Sequence, residues 1–348
     1  MLKTSDFDFN LPANLIAQEP FKNKDETPLL IFKNNQILDQ KFHNIIDYFE
    51  AGDVIILNQV KVIKAKLQGT IIRNSSSLNL NLDQEIDDGL WQALCQPAKK
   101  VKQHDIINFA ENFHGEIVEK NFNGFIKIKF NLKGKNLMLA LDKYGKTPLP
   151  PYVKRVNQPN AEDQKNYQTI FAKDGSAVAA PTAGLHFTEN LFAKLQDKKV
   201  KILFLTLNVG AGTFLPVKTE NIIDHKMHSE KFYLSAENCK IINEAKKMGK
   251  KIIAVGTTTL RALESSTDNN NLLIPQNRST DIFIYPPYKF KIVDILITNF
   301  HLPKSTLFML VCAFVGTENA KKIYQHAIAK NYHFYSFGDC SMLFNNSL

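Results

Sequence analysis

The sequence predicts an α/β main domain, of the α/β/α type with a mixed sheet, into which a small all-β barrel domain is inserted. Short apolar runs that alternate with helix patterns predict the main domain, as at residues 53–57 and 251–255. Between residues 62 and 147 the pattern changes to strict alternation, with apolar residues against lysines at 126–130. This change of period marks the insert.

The first sixty residues are typical of the beginning of an α/β domain. Residues 29–32 and 53–57 predict buried strands, and residues 42–50 predict a helix that Gly52 ends. Asn58 directly follows the second strand, a position where side chains of α/β folds often contact ligands.

Several short strands are expected in the insert. They are predicted at residues 63–67, 78–82, 91–96, 105–109, 115–119 and 126–130, with an Asn123-Gly124 hairpin turn before the last. Five to seven such strands are typical of a small barrel or sandwich. A helix at 137–144, which Gly145 ends, and a proline-rich link at 148–151 lead back. We therefore assign residues 1–61 and 148–348 to a discontinuous main domain and residues 62–147 to the insert.

The α/β pattern resumes in the second half. Helices are predicted at residues 188–198 and 235–248, capped by Thr188 and Ser235, and an apolar helix ends at Gly316. The predicted strands are residues 201–209, 251–255, 281–285 and 294–298.

Polar residues gather where these strands end. The segments are GSAVAAPTAGLHFTE at 175–189, GAGTF at 210–214, GTTTLR at 256–261 and NFHLPKST at 299–306. Glycine permits close approach, and Gly184 can adopt positive φ at little cost, whereas helix N-termini favour anions. The alternatives are a structural turn with a hydrogen-bonded His186, and ordinary N-capping with a surface ion pair at Arg261.

The segment at 225–230, HKMHSE, contains two histidines and a carboxylate. A metal site is one interpretation, but no third histidine lies at a familiar ligand spacing, so we favour polar catalytic or structural roles. Near the C-terminus, Asp339 follows Phe337-Gly338 at a predicted turn.

Composition sets outer limits on partners and location. The 348 residues include 43 Lys and Arg against 34 Asp and Glu, a net charge of +9, which favours a polyanionic partner or a solvated lysine surface. The same alternatives apply to PAKKVK at 97–102. Four widely spaced cysteines, an acidic N-terminus without a signal peptide pattern and an apolar run at 307–315 too short for a bilayer predict a cytoplasmic protein without a membrane anchor.

Six motifs in order carry a family resemblance. They are PTAGLHFT at 181–188, VGAGTFLPV at 209–217, DHKMHSE at 224–230, AVGTTTLRALES at 254–265, TNFHLPKSTL at 298–307 and FGD at 337–339. With DFDFNLPANLIAQEP and PLPPY, they resemble the S-adenosylmethionine:tRNA ribosyltransferase-isomerase family of queuosine biosynthesis, over nearly the whole chain.

The resemblance implies transfer and isomerisation of the ribosyl moiety of S-adenosylmethionine onto 7-aminomethyl-7-deazaguanine at the tRNA wobble position. Epoxyqueuosine-tRNA forms, and adenine and methionine leave. S-adenosylmethionine is then a consumed substrate, no cofactor or metal is implied, and we expect a monomer. An S-adenosylmethionine-dependent RNA methyltransferase and a non-catalytic RNA-binding protein are the alternatives.

Such a reaction needs a base for the ribose 5′ proton and a proton donor for adenine, roles that histidines suit. The predicted catalytic residues are His186, His228, His301 and Asp339. The predicted substrate-binding residues are Thr182, Gly184, Gly210, Gly212, Thr213, Thr257, Thr258, Arg261 and Asn299.

The chain departs from the family pattern at a few positions. Lys61 in Asn58-Gln59-Val60-Lys61 takes the place of an arginine, which loses the bidentate fork. The other differences are Pro28, Asn208 and Ser76-Ser77-Leu78-Asn79.

Overall fold

The computed structural model describes residues 2–121, 124–155, 161–210 and 217–345. Its first ten strands are β1 (Pro28–Lys33), β2 (Gln36–Lys41), β3 (Val54–Asn58), β4 (Val60–Val62), β5 (Lys66–Ile71), β6 (Ser77–Asp87), β7 (Leu90–Gln96), β8 (Ile106–Ala110), β9 (Phe113–Lys120) and β10 (Phe125–Phe130). The later strands are β11 (Asp174–Ala177), β12 (Lys201–Leu207), β13 (Glu230–Leu234), β14 (Ile252–Val255), β15 (Gln276–Thr280), β16 (Ile295–Asn299) and β17 (Cys340–Phe344).

Helices connect and cover these strands. They are α1 (Gly134–Tyr144), α2 (Ala161–Asn166), α3 (Glu189–Asp197), α4 (Ala236–Lys247), α5 (Thr257–Ser265), α6 (Thr306–Val315) and α7 (Thr317–Ala329). The predicted caps of α3 and α4 form, since the Thr188 and Ser235 hydroxyls accept hydrogen bonds from backbone N–H groups of the first turn. No helix in the described ranges is both long and apolar enough to cross a bilayer.

The main sheet has nine strands in the order β15-β13-β12-β3-β14-β16-β17-β1-β2. The pairs β12–β3, β3–β14 and β14–β16 are parallel, whereas β17 runs antiparallel to β16. Strands β3, β14 and β16 are buried on both faces, as their continuous apolar runs predict. The predicted mixed sheet is confirmed.

The two faces of this sheet pack into separate cores. Ile55, Ile253 and Ile295 point toward the core that α3 completes, and their neighbours in each strand point toward the core of α4 to α7. Because successive side chains of a strand face opposite sides, a fully apolar strand serves both cores. The layers are therefore α/β/α.

The insert is a closed barrel with strand order β10-β7-β6-β5-β8-β9. Its core surrounds the fully buried Trp91. The alternating pattern left barrel and sandwich open, and the closure of β10 onto β9 decides for the barrel. The domain boundaries at 61/62 and 147/148 stay predictions, and β4 crosses the first of them.

Two element predictions are wrong. Residues 281–285 do not form a strand; β15 lies just before them and pairs with β13. The chain leaves the sheet after Thr280, because the backbone N–H of Ile282 donates a hydrogen bond to the Thr280 hydroxyl instead of to a neighbouring strand. The predicted helix at 42–50 is a shorter 3-10 helix, Phe42–Tyr48. The predicted hairpin residue Asn123 lies outside the described residues.

Candidate active site

A cavity opens at the carboxyl ends of β14 and β16. Three of the polar segments border it: Pro181–Ala183, Gly256–Thr258 and Asn299–His301. The cavity has a volume of about 110 Å³. Of the predicted site residues, the described walls contain Thr182, Thr257, Thr258, Asn299 and His301.

Parallel strands explain why these segments meet. β14 and β16 run side by side in the same direction, so Gly256 and Asn299 leave the sheet at the same edge. Gly256 has φ +88°, a conformation that glycine adopts without strain, and it turns the chain directly into α5. Thr257 and Thr258 therefore stand at the N-terminal end of α5, at the cavity wall.

Asn299 borders the cavity, and His186 lies against it on the side away from the cavity. The Thr182 hydroxyl donates to Oδ1 of Asn299 at 2.9 Å, and Nδ2 of Asn299 lies 3.2 Å from Nε2 of His186 and donates to the Gly338 carbonyl at 3.1 Å. On its other side, Nδ1 of His186 lies 3.3 Å from the Thr27 hydroxyl. His186 is thus enclosed beneath Asn299, and it does not border the main cavity among the described residues.

This network assigns the tautomer of His186. The Thr27 hydroxyl donates its proton to the Lys24 carbonyl at 2.7 Å, so it accepts from Nδ1–H of His186. Nε2 then accepts from Asn299. Burial lowers the pKa of His186 to about 4, which keeps the imidazole neutral at physiological pH.

His301 is the histidine that borders the cavity. Its Nε2 lies 3.1 Å from the Thr298 hydroxyl, and its backbone N–H donates to the Tyr324 hydroxyl at 3.1 Å. Burial lowers the pKa of His301 to about 3, so this imidazole is also neutral at physiological pH. A pKa this low makes the imidazole a weak base in the free protein, since general bases work best with a pKa near the operating pH.

Gly184 has a packing role that differs from the prediction. It lies in a 3-10 helix, Thr182–His186, and its φ is not positive. A Cβ at this position would come within 2.8 Å of the Phe171 ring, closer than side chains approach. Glycine is therefore required here by close approach, and the freedom to adopt positive φ is not used.

Comparison with known proteins identifies the family. A family model described as "Queuosine biosynthesis protein" matches residues 4–343. A Rickettsia bellii protein named S-adenosylmethionine:tRNA ribosyltransferase-isomerase is 47% identical over 358 residues, 99% of each chain. A Fusobacterium nucleatum protein of the same name is 47% identical over 344 residues, 98% of this chain and 96% of that one. The chain belongs to the queuosine biosynthesis protein family.

A solved structure agrees with this membership. The crystal structure of S-adenosylmethionine tRNA ribosyltransferase from Thermotoga maritima has a TM-score of 0.55 and 31% sequence identity to this chain. The match covers 98% of this chain and 100% of that chain.

The structure places the other predicted catalytic residues outside the described cavity walls. Asp339 borders a neighbouring depression with Tyr332 and His333, and its Oδ2 accepts from the His333 backbone N–H at 2.7 Å. Burial raises the pKa of its carboxyl to about 6. His228 is half-buried near His225, a few residues before β13.

Arg261 does not border the cavity among the described residues. It is 3% exposed, its Nη1 donates to the buried carboxylate of Glu230, and its Nε donates to the Ile282 carbonyl at 3.1 Å. Glu230 also accepts from the Gly210 backbone N–H at 3.4 Å, which links Arg261 to the glycine-rich loop. The carboxylate partner expected for Arg261 is therefore Glu230. The other predicted loop residues, Gly212 and Thr213, lie outside the described residues.

Asn58 and two of the departures from the family pattern, Asn208 and Pro28, occupy structural positions. The Asn58 side chain donates to the Leu207 carbonyl at 2.9 Å and accepts from the Leu207 N–H at 3.0 Å. It therefore joins β3 to β12, and these bonds occupy the side chain that was expected to contact a ligand. Oδ1 of Asn208 accepts from Ser176 at 3.2 Å. Pro28 begins β1, and Lys61 and Asn79 are exposed.

Sequence reasoning missed two tyrosines and a serine. Tyr152, Tyr335 and Ser336 border the cavity, and the hydroxyls of Tyr152 and Ser336 are hydrogen-bonded to each other. Tyr152 is the last residue of the PLPPY motif, so its place in a family motif could have indicated a role at the site. Within the described ranges, no group of three or more His, Cys, Asp or Glu side chains lies close enough to hold a metal.

Proposed function

We propose that this protein is an S-adenosylmethionine:tRNA ribosyltransferase-isomerase. It transfers and isomerises the ribosyl moiety of S-adenosylmethionine onto 7-aminomethyl-7-deazaguanine at the tRNA wobble position, which gives epoxyqueuosine-tRNA, adenine and methionine. The observation that carries this proposal is the 47% identity to relatives of that name over 98–99% of the chain. The S-adenosylmethionine site is the cavity at the ends of β14 and β16.

The groups on the cavity wall suit a charged nucleoside that reacts at carbon. The sulfonium of S-adenosylmethionine acidifies the ribose 5′ C–H, so a neutral base near that carbon can take the proton. His301 is the base candidate, because its imidazole borders the cavity. Thr257 and Thr258, at the start of α5, are candidates to hold the methionine carboxylate through hydroxyl and backbone N–H groups.

His186, Asn299 and Thr182 have positioning roles in this proposal. Both ring nitrogens of His186 face hydrogen-bonding partners, so its contribution reaches the cavity through Asn299. Asn299 in turn fixes the Thr182 hydroxyl at the cavity wall. His228 stays an acid–base candidate, and Asp339 stays a candidate to orient a histidine or take the amine proton. Arg261 supports the loop at Gly210 through Glu230.

The remaining expectations complete the proposal. S-adenosylmethionine is consumed as a substrate, and no cofactor or metal takes part. The tRNA binds through lysines of the barrel and the main domain, in keeping with the net charge of +9. The protein acts as a monomer in the cytoplasm.

Incubation with S-adenosylmethionine and tRNA carrying the aminomethyl precursor tests the function. Mass analysis should find epoxyqueuosine in the tRNA digest, with free adenine and methionine in equal amounts. Transfer RNA with unmodified guanine at the wobble position is the matched control and should release neither. S-adenosylhomocysteine as the product would instead establish a methyltransferase, and tRNA binding without any product would establish a non-catalytic RNA-binding protein.

A further inference from the structure

Tyr335 has a backbone conformation that bulky residues rarely adopt. Its φ is +76°, in the left-handed region, where a side chain other than that of glycine, asparagine or aspartate is strained. The surrounding structure holds it there: its N–H donates to the Phe300 carbonyl at 3.0 Å, and its carbonyl accepts from Gly338 at 2.9 Å. Glycine would satisfy the same backbone bonds without strain.

The side chain that this strain retains borders the cavity. Tyr335 shares the described wall with Tyr152, and the centroids of their rings lie 3.9 Å apart at an interplanar angle of 52°. The Tyr152 hydroxyl is hydrogen-bonded to Ser336, the residue after Tyr335. Tyr152, which follows the proline-rich link from the barrel, therefore holds both the Tyr335 ring and the strained backbone at residues 335–336.

The same cavity wall combines aromatic rings with small apolar residues. The lining also contains Ala179 and Ala180, whereas polar groups come from Thr182, Thr257 and Asn299. Purine rings stack on tyrosine, because both present flat π-faces. Small neighbours leave room for such a flat ring. A strained residue at a cavity wall points to a ligand contact.

We propose that Tyr335, supported by Tyr152, is the platform on which the adenine ring of S-adenosylmethionine stacks. The proposal rests on the proposed function, since that function supplies S-adenosylmethionine as the ligand of the cavity. Stacking orients the adenosyl group so that its ribose faces His301 and Asn299. The strained backbone at Tyr335 brings the ring to the cavity wall.

Calorimetric binding of S-adenosylmethionine to wild-type protein and to Tyr335→Phe and Tyr335→Gly variants tests the platform. Phenylalanine keeps the ring and should bind within about threefold of wild type. Glycine removes the ring and relieves the backbone, so Kd for S-adenosylmethionine should rise about 5- to 100-fold while Tm does not fall. Tyr335→Asn, which also tolerates positive φ, is a second ring-free variant in case the glycine variant fails to fold.

Adenosine, a fragment of S-adenosylmethionine, tests whether the Tyr335 ring contacts the adenosyl group. Adenosine should compete for the site in wild type and lose affinity in parallel with S-adenosylmethionine in the glycine variant, whereas KM should change far more than kcat. Wild-type Kd and KM in both ring-free variants, or a loss of Tm that accounts for the weaker binding, would overturn the platform.

The proposed function has a separate readout. If wild type makes epoxyqueuosine while Tyr335→Gly keeps the wild-type KM, the platform fails and the function stands. If adenosine binding depends on the Tyr335 ring but wild type releases only S-adenosylhomocysteine, the function fails and the platform stands.

Discussion

Nε2 of His186 lies 3.2 Å from Nδ2 of Asn299, in a site where both side chains are buried. The same Asn299 binds the Thr182 hydroxyl at the cavity wall. His186, the histidine of the PTAGLHFT motif, therefore reaches the cavity only through its contact with Asn299. Its neutral state matters because a protonated Nε2 would donate toward an amide N–H that is itself a donor.

Acid should weaken the fold in a way that depends on His186. Burial lowers its pKa from 6.5 to about 4, so between these pH values the unfolded chain binds a proton that the folded chain does not. The free energy of unfolding should fall as pH falls from 6.5 to 4, by on the order of 3 kcal/mol from this group. Urea unfolding of His186→Gln should show a shallower fall than wild type. His114→Gln, at an exposed position of β9, is the control, and an identical slope in both variants would contradict the prediction.

Activity should depend on the imidazole of His301. We expect His301→Gln to lower the single-turnover rate of adenine release about 100-fold, because a glutamine cannot accept the ribose proton. Binding of S-adenosylmethionine should change little, since Thr257, Thr258 and Asn299 remain in the wall. His104→Gln on the barrel surface is the matched control. A rate near that of wild type would remove His301 from the proton-transfer step.

A buried carboxylate anchors the chain between β15 and β16. Glu264 accepts hydrogen bonds from the backbone N–H groups of Lys291, Ile292 and Val293 and from the Tyr288 hydroxyl. Glu264→Ala leaves three backbone donors unpaired, so the free energy of unfolding should fall by about 3 kcal/mol or more. Glu244→Ala, on the exposed face of α4, should change it by less than about 0.5 kcal/mol. Equal effects of the two substitutions would show that water replaces the carboxylate.

Transfer RNA binding should be steeply dependent on salt. The logarithm of the binding constant should fall linearly with the logarithm of salt concentration. The reason is that lysines that neutralise RNA phosphates release the counterions condensed on the RNA. Lys99 and Lys100 are exposed in the 3-10 turn that follows β7, and their double replacement by alanine should reduce the slope by about two. Alanine at Lys240 and Lys247 of α4 is the matched control. An unchanged slope in the barrel variant would favour a solvated loop end.

Local patterns predicted much of the fold. Continuous apolar runs located β3, β14 and β16, since strands covered on both faces need no polar side. Strict alternation located the barrel, and hydroxyl caps located the beginnings of α3 and α4. The strand expected at 281–285 was misplaced because an edge strand is defined by its pairing with β13, which apolar spacing does not encode.

The sequence by itself determined the two-domain pattern, the family motifs and the fact that polar turns follow strand ends. Only the tertiary structure decided which side chains of those turns reach the cavity. His186 and His301 have similar surroundings in sequence, yet the first is enclosed beneath Asn299 and the second borders the cavity. Tyr152 and Tyr335 are 183 residues apart and meet there because the barrel link and the loop before β17 pack together. Such proximity arises from packing between segments far apart in the chain, and local periodicity of the sequence cannot predict it.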